Sequence, residues 1–191
     1  MAPRLSKNQQ MIRYLIERCG DRLNRTRLVK ALFLADYEGR RRFGAPLSSY
    51  EYKYHKHGPW TTQIYEDVRS LQAIGAADEF LGFGLRGPFY TFAPGDADVV
   101  YSDLTPRDAI VLEAMAHQCT RGDLEALLQK VYATPPMQVA QKLGRGVRIP
   151  LEMMDTPEPE ADPLDRAVLV EAALDLDRGL GEDFDSVLDA L

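Results

Sequence analysis

The sequence predicts an α+β fold: a mainly helical domain with a small antiparallel sheet or hairpin, winged-helix-like in its order, followed by an acidic C-terminal helical tail. Three observations predict it. Apolar residues recur at helical spacing through most of residues 6–43, 61–74 and 105–143. Residues 50–56 alternate aromatic with charged side chains, as a strand does, and residues 77–94 read as a two-stranded hairpin punctuated by Gly82, Gly84 and Gly87-Pro88. From Asp155 onward the composition turns to proline, acid and sparse apolar stripes.

The first helix starts at Ser6, with Gln9 placed to complete a capping box, buries Ile12, Leu15, Ile16 and Cys19, and ends at Gly20. Asn24 is the expected cap of the second. Its run LVKALFLADY is apolar on almost every side, which places it at the centre of the core, with Lys30 and Asp36 as the charged interruptions. Six residues apart, these two do not share a face. That spacing counts against their forming a buried pair or a site together, and Lys30 is expected to snorkel to the surface. Arg40, Arg41 and Arg42 crowd the last turn before Gly44. They suit either the negative end of the helix dipole or an anion or partner site.

In residues 50–56, Tyr50, Tyr52 and Tyr54 point one way and Glu51, Lys53 and His55 the other. Gly58-Pro59 is expected to break the strand and Trp60 or Thr61 to start a third helix with Ile64, Val68 and Leu71 inward and Gly75 as its C′ residue. The hairpin follows. Its aromatics Phe80, Phe83, Phe89, Tyr90 and Phe92 are expected to pack it against the helices, with residues 50–56 available as a third strand. Thr105, Pro106 and Asp108 announce a fourth helix, whose Ile110, Leu112, Ala114 and Met115 face inward. A fifth is expected from about Arg121, carrying Leu124, Leu127, Leu128 and Val131, and a short sixth from Met137 to Leu143.

The chain divides into a domain over 1–154, a Pro/acid linker over 155–163 and an acidic amphipathic tail over 164–191. With 191 residues it can bury a genuine core. No apolar run approaches the ~20 residues of a membrane span, no apolar leader opens the sequence, and Cys19 and Cys119 stand without CxxC partners, so the expected location is the cytoplasm. Net charge is −6, unevenly spread: residues 151–191 hold 13 acidic and 2 basic residues, leaving 21 basic and 16 acidic in 1–150. The tail carries two apolar stripes, Leu169, Ala172, Ala173, Leu176 and Leu180, then Phe184, Val187, Leu188 and Leu191. A purely solvating tail has no use for them; they dock on this chain or on a partner.

No nucleophile elbow, P-loop, HExxH or dinucleotide fingerprint is present, so the chain is read as a non-enzyme needing no cofactor. His55 and His57 on one strand face could hold a metal, but no third ligand is near in sequence, and solvated histidines are the simpler reading. The helix-then-hairpin order suggests a winged-helix DNA-binding regulator. The outward residues of the third helix, Thr62, Gln63, Glu66, Asp67, Arg69 and Ser70, would however repel a phosphate backbone more than attract it, and the hairpin offers only Arg86.

Over residues 25–75 a central helix with Leu28, Lys30, Leu32 and Phe33 is followed by Ala35-Asp36-Tyr37, a turn with Gly44, Pro46 and Leu47, an aromatic strand, Gly58-Pro59, and a helix closing on Leu71 and Gly75. In that order and spacing the stretch resembles the Panacea, or SocA-like, antitoxin domain. It covers about residues 8–95, extends toward Tyr132-Ala-Thr-Pro-Pro-Met137, and departs at Trp60, where a small aliphatic residue is usual. The resemblance implies a bacterial or phage protein that neutralises a cognate toxin by direct binding, in at least one member by delivering it to a protease. DNA-binding regulation is the alternative. The expected partner contacts are Arg40, Arg41, Arg42, Lys53, His55, Trp60, Leu176, Phe184, Val187 and Leu188. The terminal SVLDAL is a candidate protease tag.

Overall fold

The computed structural model describes residues 4–84 and 87–153. The linker, the tail with Leu176, Phe184, Val187 and Leu188, the terminal SVLDAL and Arg86 lie outside the described residues. The described chain runs α1 (Lys7–Cys19), a 3-10 turn (Gly20–Arg22), α2 (Arg25–Phe43), β1 (Lys53–His55), β2 (Gly58–Trp60), α3 (Gln63–Ala73), β3 (Ala77–Gly84), β4 (Gly87–Pro94), α4 (Pro106–Arg121), α5 (Leu124–Ala133), α6 (Pro135–Leu143) and a last 3-10 turn (Leu151–Met153). It is an α+β protein, mainly helical, with α3 leading directly into the β3–β4 hairpin. No helix among the described residues is long and apolar enough to cross a membrane.

The core is built on α2, which α1, α4 and α5 all contact. Every residue from Leu28 to Asp36 is buried, as a helix apolar on all sides requires. Burying Leu28, Leu32 and Phe33 contributes about 1.5–3 kcal/mol each. The helix starts are set by the expected caps: capping boxes at Ser6/Gln9 and Thr105/Asp108, and Asn24 accepting the Arg27 N–H. Each such cap contributes about 1 kcal/mol. The fifth helix begins later than expected. α4 runs through Arg121 and α5 starts at Leu124, because Asp123, not a residue near Arg121, supplies the capping oxygen, 2.6 Å from the Ala126 nitrogen.

The strands depart most from expectation. Gly58-Pro59 does not end a strand; with Trp60 it forms β2, paired antiparallel with β1 as Lys53↔Trp60, Tyr54↔Pro59 and His55↔Gly58, so α3 starts only at Gln63. A two-residue turn at Lys56-His57 reverses the chain, and Gly58 enters β2 at φ +93°, a conformation that suits glycine. The other edge of β1 pairs with residues 146–149: Gly146 donates to the Tyr54 carbonyl (2.7 Å), Tyr54 to the Val147 carbonyl (2.8 Å) and Ile149 to the Tyr52 carbonyl (2.8 Å). Residues 53–55 therefore belong to this small sheet and add no third strand to β3–β4, which form a separate ribbon. Nor does that ribbon lie flat on the helices. Phe92 is buried, but Phe80, Leu81, Phe83, Phe89 and Tyr90 are exposed, Phe83 to 80%.

Asp36 fixes how the chain leaves α2. Fully buried, its carboxylate accepts the Ser48 N–H (2.6 Å), the Ser48 hydroxyl and the Tyr52 hydroxyl (2.7 Å). Tyr52 packs edge-on against Phe33 at 5.3 Å, and Tyr50 reaches across to α3 through a 2.7 Å bond to Asp67. Asp67 is thus spent internally, also receiving Gln9, and does not face outward as expected. Burial outweighs the donors and raises the Asp36 carboxyl from 3.8 to about 6. The folded state then binds the proton more tightly than the unfolded chain. The contribution of this group to stability is full below about pH 3.8 and is lost as pH rises through about 6. Accordingly, the stability of the natural protein relative to Asp36→Asn should fall by about 2 kcal/mol between pH 4 and 7, measured by urea denaturation at each pH. Parallel pH profiles would show that Asp36 is not the titrating group.

Candidate functional site

A groove of about 810 Å³ opens between α2, the β1–β2 hairpin, α3 and α5. Its floor is Val29 and Lys30 of α2 with Gly58 and Pro59 of β2, all buried. Leu124, Leu128 and Tyr132 of α5 form one wall; His55, His57 and Trp60 form another; Tyr65 and Pro88 close the side toward the ribbon. Among the described residues no Asp or Glu lines it.

Lys30 is the unexpected residue here. It does not snorkel to the surface. It is 3% exposed and donates through Nζ to the Pro59 carbonyl at 2.9 Å. The reason is local. The β2 edge leaves a carbonyl facing α2, and a proline there has no N–H to offer. Gly58 is held beside the ammonium by its φ of +93°, which suits glycine; a Cβ there would stand at ordinary contact distance, 3.4 Å, from both Lys30 Nζ and the Tyr132 hydroxyl. Burial lowers the Lys30 ammonium from 10.5 to about 8. Lys30 and Asp36 form no pair: each is satisfied by its own set of groups on β2 or residues 48–52.

Lys53, His55 and Trp60 do come together. The register puts all three on one face of the hairpin, His55 and Trp60 with ring centroids 5.7 Å apart, and Trp60 is 37% exposed at the rim. His57 does not share that strand face; it sits in the turn. Among the described residues no cluster of three or more His, Cys, Asp or Glu side chains could hold a metal.

The arginine triplet lies elsewhere. Arg40 donates to the Gly44 carbonyl and, at 3.5 Å, to the Glu152 carbonyl; Arg41 and Arg42 both reach Glu38. Arg40 borders a second, smaller groove of about 380 Å³ with Glu51, Arg148 and Glu152, where the charges are mixed.

Other cations that the sequence groups into a basic body are also engaged. Arg22 bonds the Thr120 carbonyl, and Arg27 the Cys119 and Gly122 carbonyls. Arg25 forms a two-toothed pair with Glu79 (2.6 and 2.7 Å) and lies 3.8 Å from the Tyr90 ring centroid, clamping the base of the ribbon to α2.

Val29, Tyr65, Pro88, Leu124, Leu128 and Tyr132 were not singled out by sequence for this site. Nothing local marks them, since they come from four elements far apart along the chain. Lys30 did carry a signal: one ammonium inside a helix apolar on all sides belongs to the interior. Comparison of the chain with family models, with curated proteins and with solved structures finds no match.

Replacing Lys30 by Met separates its electrostatic role from its packing. Because the folded ammonium titrates lower than the unfolded one, the stabilising contribution of its deprotonation is present above about pH 10.5 and is lost as pH falls through about 8. The stability of the natural protein relative to Lys30→Met should therefore rise between pH 7 and 10 in thermal unfolding. A flat difference would mean that the ammonium is effectively hydrated.

Proposed function

We propose that this chain is a protein-binding antitoxin or proteolytic adaptor that neutralises a cognate toxin by direct contact, with the Lys30 groove and the adjoining aromatic ribbon as its contact surface. The observation that carries this reading is the exposed apolar surface. Trp60 stands at the rim of a groove of drug-ligand size or more, and Leu81, Phe83 and Tyr90 are exposed on the ribbon face they share with Pro88, which lines that groove; exposed apolar surface of this kind marks partner sites. Aromatic side chains are also the residues that most often anchor protein interfaces.

The Panacea-like spacing acquires a physical reason in support. Lys30 of the central helix holds the carbonyl of the Gly-Pro pair, and Asp36 holds Ser48 and Tyr52, so the motif residues meet in space. The reading as a DNA-binding regulator has less support. On α3 Asp67 is used internally, the ribbon base carries Asp78 and Glu79, and Arg22, Arg25, Arg27, Lys30, Arg40, Arg41 and Arg42 all donate to groups of this chain.

Co-expression tests the proposal. The chain should suppress the toxicity of the product of an adjacent reading frame, and the double substitution Trp60→Ala, Phe83→Ser should abolish suppression while shifting the unfolding midpoint little, since both side chains are exposed. A shortened toxin half-life would mark the adaptor form, and an unchanged one the sequestering form. Full suppression by the folded double variant overturns the groove and ribbon as contact surface. A low-salt mobility shift of the chain's own promoter DNA, lost on neutralising Arg40, Arg41 and Arg42, would favour the regulator.

A further inference from the structure

We infer that the groove has a resident occupant, the acidic tail 164–191 of the same chain, which covers the Lys30 site until a partner displaces it. The inference rests on the reading of the groove as a docking surface and assigns the first ligand it meets.

The chemistry of the two surfaces is complementary. The groove is walled by Trp60, Tyr65, Leu124, Leu128 and Tyr132, holds one buried ammonium, and has His55 and His57 at its rim with Lys53 and Lys56 exposed beside it. Among the described residues no carboxylate lines it. Residues 164–191 carry eight acidic and two basic side chains, interleaved with the apolar Leu169, Leu176, Leu180, Phe184, Val187 and Leu188. An acidic segment with regularly spaced apolar anchors satisfies both an aromatic wall and an acid-free cationic rim. Lys30 spends one of its three N–H donors on Pro59, leaving capacity to meet a carboxylate.

The path of the chain favours delivery in cis. The described body ends at Met153, directly after residues 146–149 have paired with β1, the partner strand of the one that carries Trp60. From Met153 to Leu176 the chain can span about 75 Å when extended, well beyond the roughly 15 Å radius of gyration of a 150-residue domain. Tethering gives such a segment an effective concentration in the millimolar range, enough for a weak contact to be occupied most of the time. A partner then gains entry by competing, and the tail sets the threshold it must exceed.

Trp60 is the single tryptophan of the chain and reports on the groove directly. In the full-length protein its fluorescence should be shielded from acrylamide. The triple variant Phe184→Asp, Val187→Asp, Leu188→Asp should shift its emission to the red and raise its quenching. The rim variant Lys56→Glu, His57→Glu, which alters only exposed turn residues, should do the same, as should 1 M salt, where the screening length is about 3 Å. Equal quenching in the natural protein and the triple variant overturns the inference. Shielding that disappears on dilution overturns it as well, by assigning the tail to a second copy. Either result leaves the suppression test of the groove standing, while a failed suppression test leaves the quenching comparison interpretable.

Discussion

A buried carboxylate must gather hydrogen-bond donors, and Asp36 gathers them from residues 48 and 52. That requirement shapes much of the chain beyond α2. Ser48 is drawn under the helix; Tyr52 is fixed against Phe33; Tyr50, two residues back on the same side, is left to reach Asp67 on α3. The β1–β2 hairpin emerges from this anchored segment already oriented, and one helical turn and a half earlier Lys30 takes hold of its far strand through Pro59. Two ionisable groups on one buried helix thus hold the two ends of a segment with little regular structure of its own. Breaking one partner of such an arrangement leaves the other group buried and unsatisfied, which is why polar devices of this kind specify one geometry.

The helices were legible because their signals are local. Ser6 with Gln9, Asn24, and Thr105 with Pro106 and Asp108 mark their own starts, and the apolar run of α2 announces its burial without reference to anything else. The alternation of Tyr50, Tyr52 and Tyr54 against Glu51, Lys53 and His55 also held, with the tyrosines inward or half-buried and the others exposed. The pairing partner of that segment was not legible. Residues 146–149 lie some ninety residues downstream, and their alternation of Val147, Arg148 and Ile149 is too short to be read as a strand by itself. Gly58-Pro59 has the composition of a breaker, and only the Lys30 contact and the β1 register make it a strand. Of the expected contacts, Lys53, His55 and Trp60 share a face because strand periodicity is a local rule; the groove they border needed tertiary structure to appear.

Charge divides in the same way between local pattern and tertiary use. A count of Lys and Arg suggests a basic surface, but counts do not say where the donors point. Arg22, Arg27 and Arg40 are spent on carbonyls, Arg25 on Glu79, and Arg41 and Arg42 on Glu38. Helix ends expose unsatisfied carbonyls, and guanidinium groups satisfy several at once. Much of the body's positive charge thus holds elements together.

Among the described residues the β3–β4 ribbon is anchored to the body chiefly at its base: through Phe92, the Asn24↔Thr91 bridge, the Phe92 N–H to the Leu23 carbonyl, and Arg25, which pairs with Glu79 and lies over the Tyr90 ring. Beyond that base, Phe80, Leu81, Phe83 and Phe89 are exposed and stand apart from the buried core. Folding therefore places little constraint on them. Substitutions at exposed positions of this sort usually shift stability by no more than about 0.5 kcal/mol. The fold can accept new side chains there one at a time without passing through an unfolded intermediate sequence. Core and exposed surface are free to diverge at different speeds in this protein, and the boundary between them runs across the ribbon at Phe92.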